Sequence, residues 1–81
     1  MIIRERIDLR KLSPKIYDKK QKERNLIFKK IVNKYFNEEI KSVHLGTVAY
    51  SIEFSDKNFQ LSNEEVNKKK LDIEKLIKSY E

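Results

Sequence analysis

The sequence predicts a small α+β domain, in which a short antiparallel sheet is covered by two helices in the order β-α-β-β-α. Two stretches alternate apolar and polar residues with a period of two, which is typical of half-buried strands. Two other stretches repeat apolar residues at helical spacing. The chain has 81 residues with one glycine and one proline, so it is short enough for one domain and has no flexible linker. We therefore expect a single domain over residues 1–81.

The first strand is predicted at the start of the chain, where Ile3, Ile7 and Leu9 share one side. Glu5 interrupts that apolar side. The outward side carries three arginines, Arg4, Arg6 and Arg10. Outward arginines on a strand resemble those of the ribbon-helix-helix repressors, whose paired strands enter the major groove, although here a strand hairpin stands where that family has its second helix. The same arginines would also protect an edge strand against aggregation.

A long first helix is predicted from Pro14 to about Asn37. Ser13 is a suitable cap for the free N–H groups, and proline is tolerated at the first helical position. An apolar face follows at helical spacing, formed by Ile27, Phe28, Ile31, Val32 and Tyr35, with Ile16 and Tyr17 towards the start. Residues 18–25 are all polar, so the first half of this helix, about residues 14–25, is expected to project from the domain.

Residues 42–55 are rich in β-branched and aromatic side chains and favour strand. The inward positions are Val48, Tyr50, Ile52 and Phe54, whereas Val43 and Leu45 have the opposite parity. The parity changes at Gly46, which predicts a bulge or a turn there. Residues 56–58 supply turn chemistry and residues 59–61 resume the alternation, which predicts a hairpin at that point. Whether residues 40–45 form a strand stays open.

The last helix is predicted to begin at Ser62, which forms a capping box with Glu65 three residues later. An apolar stripe follows, made of Val66, Ile73, Leu76, Ile77 and Tyr80. The stripe should pack on the sheet. If the sheet leaves this stripe uncovered, the stripe predicts a homodimer through the C-terminal helix.

The positive charge is concentrated in the first half of the chain. The formal net charge is +6 at pH 7, from 19 lysines and arginines against 13 aspartates and glutamates. Residues 1–41 hold 13 of the basic and 6 of the acidic residues, net +7, and residues 42–81 are net −1. This asymmetry indicates contact with a polyanion or an acidic surface, although such a charge also serves to keep a small domain dispersed.

Five lysines share about a third of the circumference of the predicted first helix. They are Lys15, Lys19, Lys22, Lys29 and Lys30. At 1.5 Å per residue this basic stripe would extend about 22 Å, enough to follow several phosphates. The leading hypothesis is a non-enzymatic protein that contacts the phosphates of DNA or RNA through these lysines and Arg24. The three arginines of the first strand would assist. Lysine is a point charge, so the stripe predicts salt-sensitive attraction without base recognition.

Leu26 lies within the stripe and supports a second hypothesis, a protein-binding surface. The chain would then be an inhibitor or regulatory subunit of the kind that phages or mobile elements direct at a host nucleic-acid-processing or defence complex. Its basic helix would dock on an acidic or nucleic-acid-binding surface of that complex. An ordinary solvated helix face, with Glu23 and Asp18 as partial charge partners, is the third interpretation.

Catalytic and metal-binding patterns are lacking in the sequence. With no cysteine and one histidine, it excludes disulfides, thiolate-metal sites and multi-histidine zinc sites. His44 has no orienting group at an interpretable spacing, and Glu5, Asp8, Glu53 and Asp56 show no nuclease spacing. The single glycine excludes a glycine-rich phosphate loop. We expect no enzymatic activity, no cofactor and no metal.

No stretch is apolar and long enough for a transmembrane span or a signal peptide. The expectation is a soluble, cytoplasmic protein without a membrane partner. Most aromatic residues are needed for the core. Phe36 falls at the edge of the apolar face and is the one expected to be free to stack on a base.

Overall fold

The computed structural model describes residues 1–80 and confirms the α+β class, with a three-stranded antiparallel sheet packed against helices. The elements are β1 (Ile2–Arg6), α1 (Leu9–Leu12), α2 (Pro14–Tyr17), α3 (Gln21–Asn33), β2 (Ile40–Leu45), β3 (Ala49–Phe54) and α4 (Asn63–Lys78). A strand, a helical region, two strands and a C-terminal helix therefore follow one another in the predicted order. The strand at residues 40–45, which the sequence left open, is present.

The central strand of the sheet is β3, and the strand order is β1-β3-β2. Both pairings are antiparallel, and Ile52 lies between Ile3 on one side and Val43 on the other. Alternate side chains of a strand point to opposite faces, so these residues belong to the face that the helices cover. The register shifts between Ile40 and Ser42, which brings Ile40 back to the covered face, where it is buried.

The turn predicted at Gly46 is confirmed, and it joins β2 to β3. The Gly46 N–H donates to the carbonyl oxygen of Ala49 over 2.9 Å. A Cβ at this position would lie 3.1 Å from that oxygen and 3.3 Å from Nε2 of His44. This close approach favours glycine at position 46, and backbone conformation does not, since no residue in the described chain has a positive φ.

The hairpin predicted at residues 56–58 is wrong. The turn itself exists, because the Asn58 N–H donates to Oδ1 of Asp56 over 2.8 Å. Phe59 and Leu61 nevertheless form no strand. The reason is that β3 already has a neighbour on each side, which leaves no open edge for another strand. Phe59 packs its ring against that of Phe54, with 4.9 Å between the centroids.

The continuous helix predicted from Pro14 to about Asn37 is also wrong, because the chain breaks between Tyr17 and Gln21. Ile16 and Phe28 are both fully buried in one core. Twelve positions apart on a straight helix, they would be separated by about 18 Å and point about 120° apart. The break folds α2 back onto the domain, where Ile16 is fully buried, whereas residues 18–23 of the same predicted segment are exposed.

The first strand ends earlier than predicted. After Arg6 the chain turns into α1, whose start is capped by Asp8, since its Oδ1 accepts from the Lys11 N–H over 3.3 Å. Leu9 is fully buried as part of α1. Arg10 therefore lies on a helix and does not share the outward face of β1 with Arg4, which corrects the predicted row of three arginines.

The last helix begins as predicted, with both hydrogen bonds of the Ser62–Glu65 capping box present. Ile73 and Ile77 are fully buried, and Leu76 and Tyr80 pack partly buried against the core. Four of the five residues of the predicted stripe thus lie in or against the chain's own core. Across the described residues, no helix has the length and apolar character needed to cross a membrane.

Candidate functional site

The outward face of α3 carries Lys22, Leu26, Lys29 and Lys30, which we call the α3 stripe. These positions are spaced i, i+4, i+7 and i+8, so they lie along one side of the helix. All four are exposed, and Leu26 is 55% exposed. The opposite side of α3 is buried through Phe28, Ile31 and Val32. The helix therefore holds its lysines in water because its apolar face is fixed on the sheet.

Lys15 and Lys19 do not lie on the α3 stripe. Lys15 belongs to α2, and Lys19 lies in the connection between α2 and α3. Both are exposed and line a hollow with Asp18 and Tyr80. The continuous stripe expected from the sequence is thus two separate groups of lysines, because the helix that would have aligned them is broken.

Arg24 is engaged within the chain and is only partly exposed. Its Nη2 donates to the carbonyl oxygen of Tyr17 over 2.6 Å, and its guanidinium carbon lies 5.6 Å from the centre of the Tyr17 ring. The Nε atom is buried. Arg24 therefore joins α3 to the last residue of α2. Its positive charge interacts favourably with the carbonyl group at this helix end and with the Tyr17 ring. This structural role replaces the binding role expected from the sequence.

Arg4 and Arg6 lie on the open face of the sheet. They are exposed, and the register places Arg4 beside Ser51 and Arg6 beside Ala49 of β3. On the far strand His44 is the residue paired with Ser51. Small side chains in the central strand leave these arginines accessible from the side that no helix covers.

Within residues 1–80 there are two ion pairs, and neither includes a lysine of the α3 stripe. Lys41 lies 3.5 Å from a carboxylate oxygen of Glu53 on the sheet surface. Lys70 lies 2.8 Å from a carboxylate oxygen of Glu5 and joins α4 to β1. In residues 1–80 the lysines of the α3 stripe therefore have no carboxylate within ion-pair distance.

Sequence reasoning missed an amide clamp that fixes α3 to β2. Asn25 Oδ1 accepts from the Leu45 N–H over 3.0 Å, and Gln21 Nε2 donates to the Leu45 carbonyl over 2.9 Å. Gln21 Nε2 also donates to Asn25 Oδ1 over 2.8 Å. The available signal was the i, i+4 spacing of two amides on the same side of the helix as Phe28.

Phe36 is not free to stack on a base, contrary to the sequence expectation. It is only 6% exposed, and its ring lies 4.9 Å from that of Phe54. The Lys69 ammonium sits 5.0 Å from the ring centre and covers it from α4. The lysine therefore extends the hydrophobic core instead of contributing to a free basic surface.

The other titratable groups are dispersed. Among the residues described, no three histidine, aspartate or glutamate side chains come together to hold a metal ion. Glu5 and Glu53 have lysine partners, and Asp8 and Asp56 accept hydrogen bonds from nearby backbone N–H groups. His44 is exposed.

Comparison of the chain with protein-family models, with curated proteins and with solved structures found no match. The placement of its own residues is therefore the basis on which a function is inferred.

Proposed function

We propose that this protein binds nucleic acid through its phosphates, without catalysis, and that the α3 stripe is the principal contact. The observation that carries the proposal is the row of three exposed lysines on a helix whose other side is buried. No ion pair in residues 1–80 neutralises them. The net charge of +6 adds long-range attraction for a polyanion. The proposal places this activity in the cytoplasm.

The chemistry of the stripe favours contact with the backbone of the nucleic acid. From Lys22 to Lys30 the helix rises about 12 Å, which brings ammonium groups within reach of several successive phosphates. Lysine lacks the planar fork with which arginine reads guanine. Arg4 and Arg6 could add two further charges from the open sheet face, whereas Arg10 is on α1 and Arg24 is engaged with Tyr17.

The first prediction concerns the salt dependence of binding. For about five duplex phosphates neutralised, the logarithm of the affinity should fall with the logarithm of salt concentration at a slope of about −4 to −5. Replacing Lys22 and Lys29 by glutamine should bring the slope closer to zero by about 2. Fluorescence anisotropy with a labelled duplex at several salt concentrations measures both slopes. Affinity that hardly changes with salt would contradict the proposal.

The exposure of Leu26 favours a second candidate function, a protein partner. A leucine exposed by 55% at the centre of a basic face is suited to a hydrophobic contact ringed by charge. The chain would then be an inhibitor or regulatory subunit that docks α3 on the acidic or nucleic-acid-binding surface of a larger complex.

The change Leu26→Glu separates the two functions. If phosphates are the ligand, it should weaken duplex binding less than the Lys22/Lys29 double change, because it adds one repelling charge and leaves every lysine in place. Leu71→Glu is the matched control, since Leu71 is 61% exposed on α4. Wild-type protein that binds no nucleic acid at low salt would favour the protein partner.

A further inference from the structure

Two surface hollows meet at Tyr80. One has a volume of about 340 Å³ and is lined by Lys15, Asp18, Lys19 and Tyr80. The other has a volume of about 220 Å³ and is lined by Ile27, Lys30, Ile31, Lys34 and Tyr80. Tyr80 is partly buried and packs against the core. The break between α2 and α3 creates this arrangement, because it brings Lys15 and Lys19 to the end of α4.

The two hollows combine an apolar floor with positive flanks. Tyr80, Ile27 and Ile31 supply one aromatic ring and two aliphatic side chains. Two lysines line each hollow, and Asp18 is the one carboxylate among the lining residues. The first hollow is at the lower end of the range of about 300–1,000 Å³ that is typical of pockets enclosing small ligands, and the second is below that range. Each therefore suits a flat ring entering from an extended chain.

This combination favours single-stranded nucleic acid. A single strand offers phosphates at regular intervals and unstacked bases between them, and bases stack readily on aromatic side chains. In a duplex the faces of the bases are hidden by their neighbours. A ligand with negative charge alone would not use the aromatic and aliphatic floor.

We infer that Tyr80, with Ile27 and Ile31, receives an unstacked base of single-stranded nucleic acid, while Lys15, Lys19, Lys30 and Lys34 hold the flanking phosphates. The inference rests on the proposed function and deepens it by naming the class of nucleic acid. Lys30 belongs to both the α3 stripe and the hollow, so a strand can pass from one to the other without leaving the basic surface.

The first test uses the wild-type protein and three labelled ligands: a thymidine 12-mer, a 12-mer of equal charge with abasic positions, and a 12-base-pair duplex. The thymidine strand should bind about tenfold more tightly than the abasic strand, because one stacked base is lost. It should also bind more tightly than the duplex. Equal affinity for thymidine and abasic strands overturns the inference and leaves the proposed phosphate binding intact. No binding of any of the three overturns both.

The second test uses variants of the hollow. Tyr80→Leu should weaken thymidine-strand binding about tenfold and leave the abasic strand unaffected, and Tyr80→Phe should retain the wild-type preference. Lys34→Gln should weaken the thymidine strand about twofold or more, whereas Lys57→Gln, which removes an exposed lysine elsewhere, should not. Thermal unfolding verifies that each variant is folded. If Tyr80→Leu is unfolded, the inference is tested by comparing how Lys34→Gln and Lys57→Gln bind the thymidine strand. Equal effects of these two changes overturn the inference.

Discussion

Glu5 places a carboxylate on the helix-covered side of β1, where the sequence pattern calls for an apolar residue. The register pairs it with Tyr50, which is buried with its hydroxyl lacking a partner among the described residues. The Lys70 ammonium bonds to Glu5 and holds the pKa of this carboxyl below its usual value; partial burial opposes the shift, and a hydrogen bond from the Arg6 N–H supports it. Burial raises the pKa of Tyr50, and the nearby carboxylates Glu5 and Glu74 raise it further.

The ion pair predicts a pH-dependent effect of Lys70→Gln. Since the folded pKa of Glu5 is lowered, its contribution to the free energy of unfolding is present above the unfolded pKa, near pH 4, and disappears as the pH falls through the folded pKa. The variant should therefore lose about 0.5–1 kcal/mol at pH 7, because the pair is partly screened by solvent. Near pH 3 it should approach wild-type stability.

Urea unfolding at the two pH values measures this difference. Lys68→Gln is the matched control, because Lys68 is exposed on the same helix and has no ion-pair partner in the described chain. A Lys70→Gln variant whose deficit is the same at pH 3 and pH 7 would contradict the electrostatic origin.

Among the secondary-structure elements, α3 differs most between its two sides. Its buried side carries the core residues and the amide clamp, and its outward side carries the α3 stripe. The clamp gives a partner to both backbone groups of Leu45, the last residue of β2. Since β2 is an edge strand, this contact fixes the position of the helix relative to the sheet and also occupies unpaired edge groups.

Asn25→Ala should lower the free energy of unfolding by about 1–3 kcal/mol, because the partly buried Leu45 N–H loses its acceptor. Asn33→Ala provides the control, since Asn33 is exposed in the same helix and undergoes the same chemical change. Urea unfolding of both variants gives the difference. Equal stabilities of the two would show that the clamp contributes nothing.

For the whole molecule the question is whether a local surface or the total charge attracts the ligand. Lys57 and Lys68 are exposed and lie outside α3. Replacing both by glutamine removes the same total charge as the Lys22/Lys29 double change. If the α3 stripe is the contact, the Lys57/Lys68 variant should keep the wild-type salt slope within about 0.5. If the two double variants behave alike, the attraction depends only on net charge.

Local patterns in the sequence predicted the class of fold well. The capping box at Ser62 and the parity change at Gly46 each depend on neighbouring residues, and the structure confirms both. The failures depend on distant contacts. Residues 59–61 alternate like a strand, but β3 has no edge left for them. The helical pattern after Pro14 is interrupted because the core must bury Ile16 together with Phe28.

The candidate site was predictable in part for the same reason. Helical spacing identifies Lys22, Lys29 and Lys30 as neighbours, and they are neighbours on α3. It cannot show that Tyr80 lines one hollow with Lys15 and another with Lys34, because this placement depends on how the broken helix folds back. It also cannot show that Arg24 is engaged by a carbonyl group seven residues earlier.

The strand order carries a consequence for the kinetics of folding. A short turn at Gly46 joins β2 to β3, so this hairpin can close within about 1–10 μs. In β1, Arg6 pairs with Ala49 of β3. This contact closes a loop of roughly half the chain, and contacts between residues so distant in sequence form more slowly than local ones. We expect β1 to join the sheet last and to leave it first.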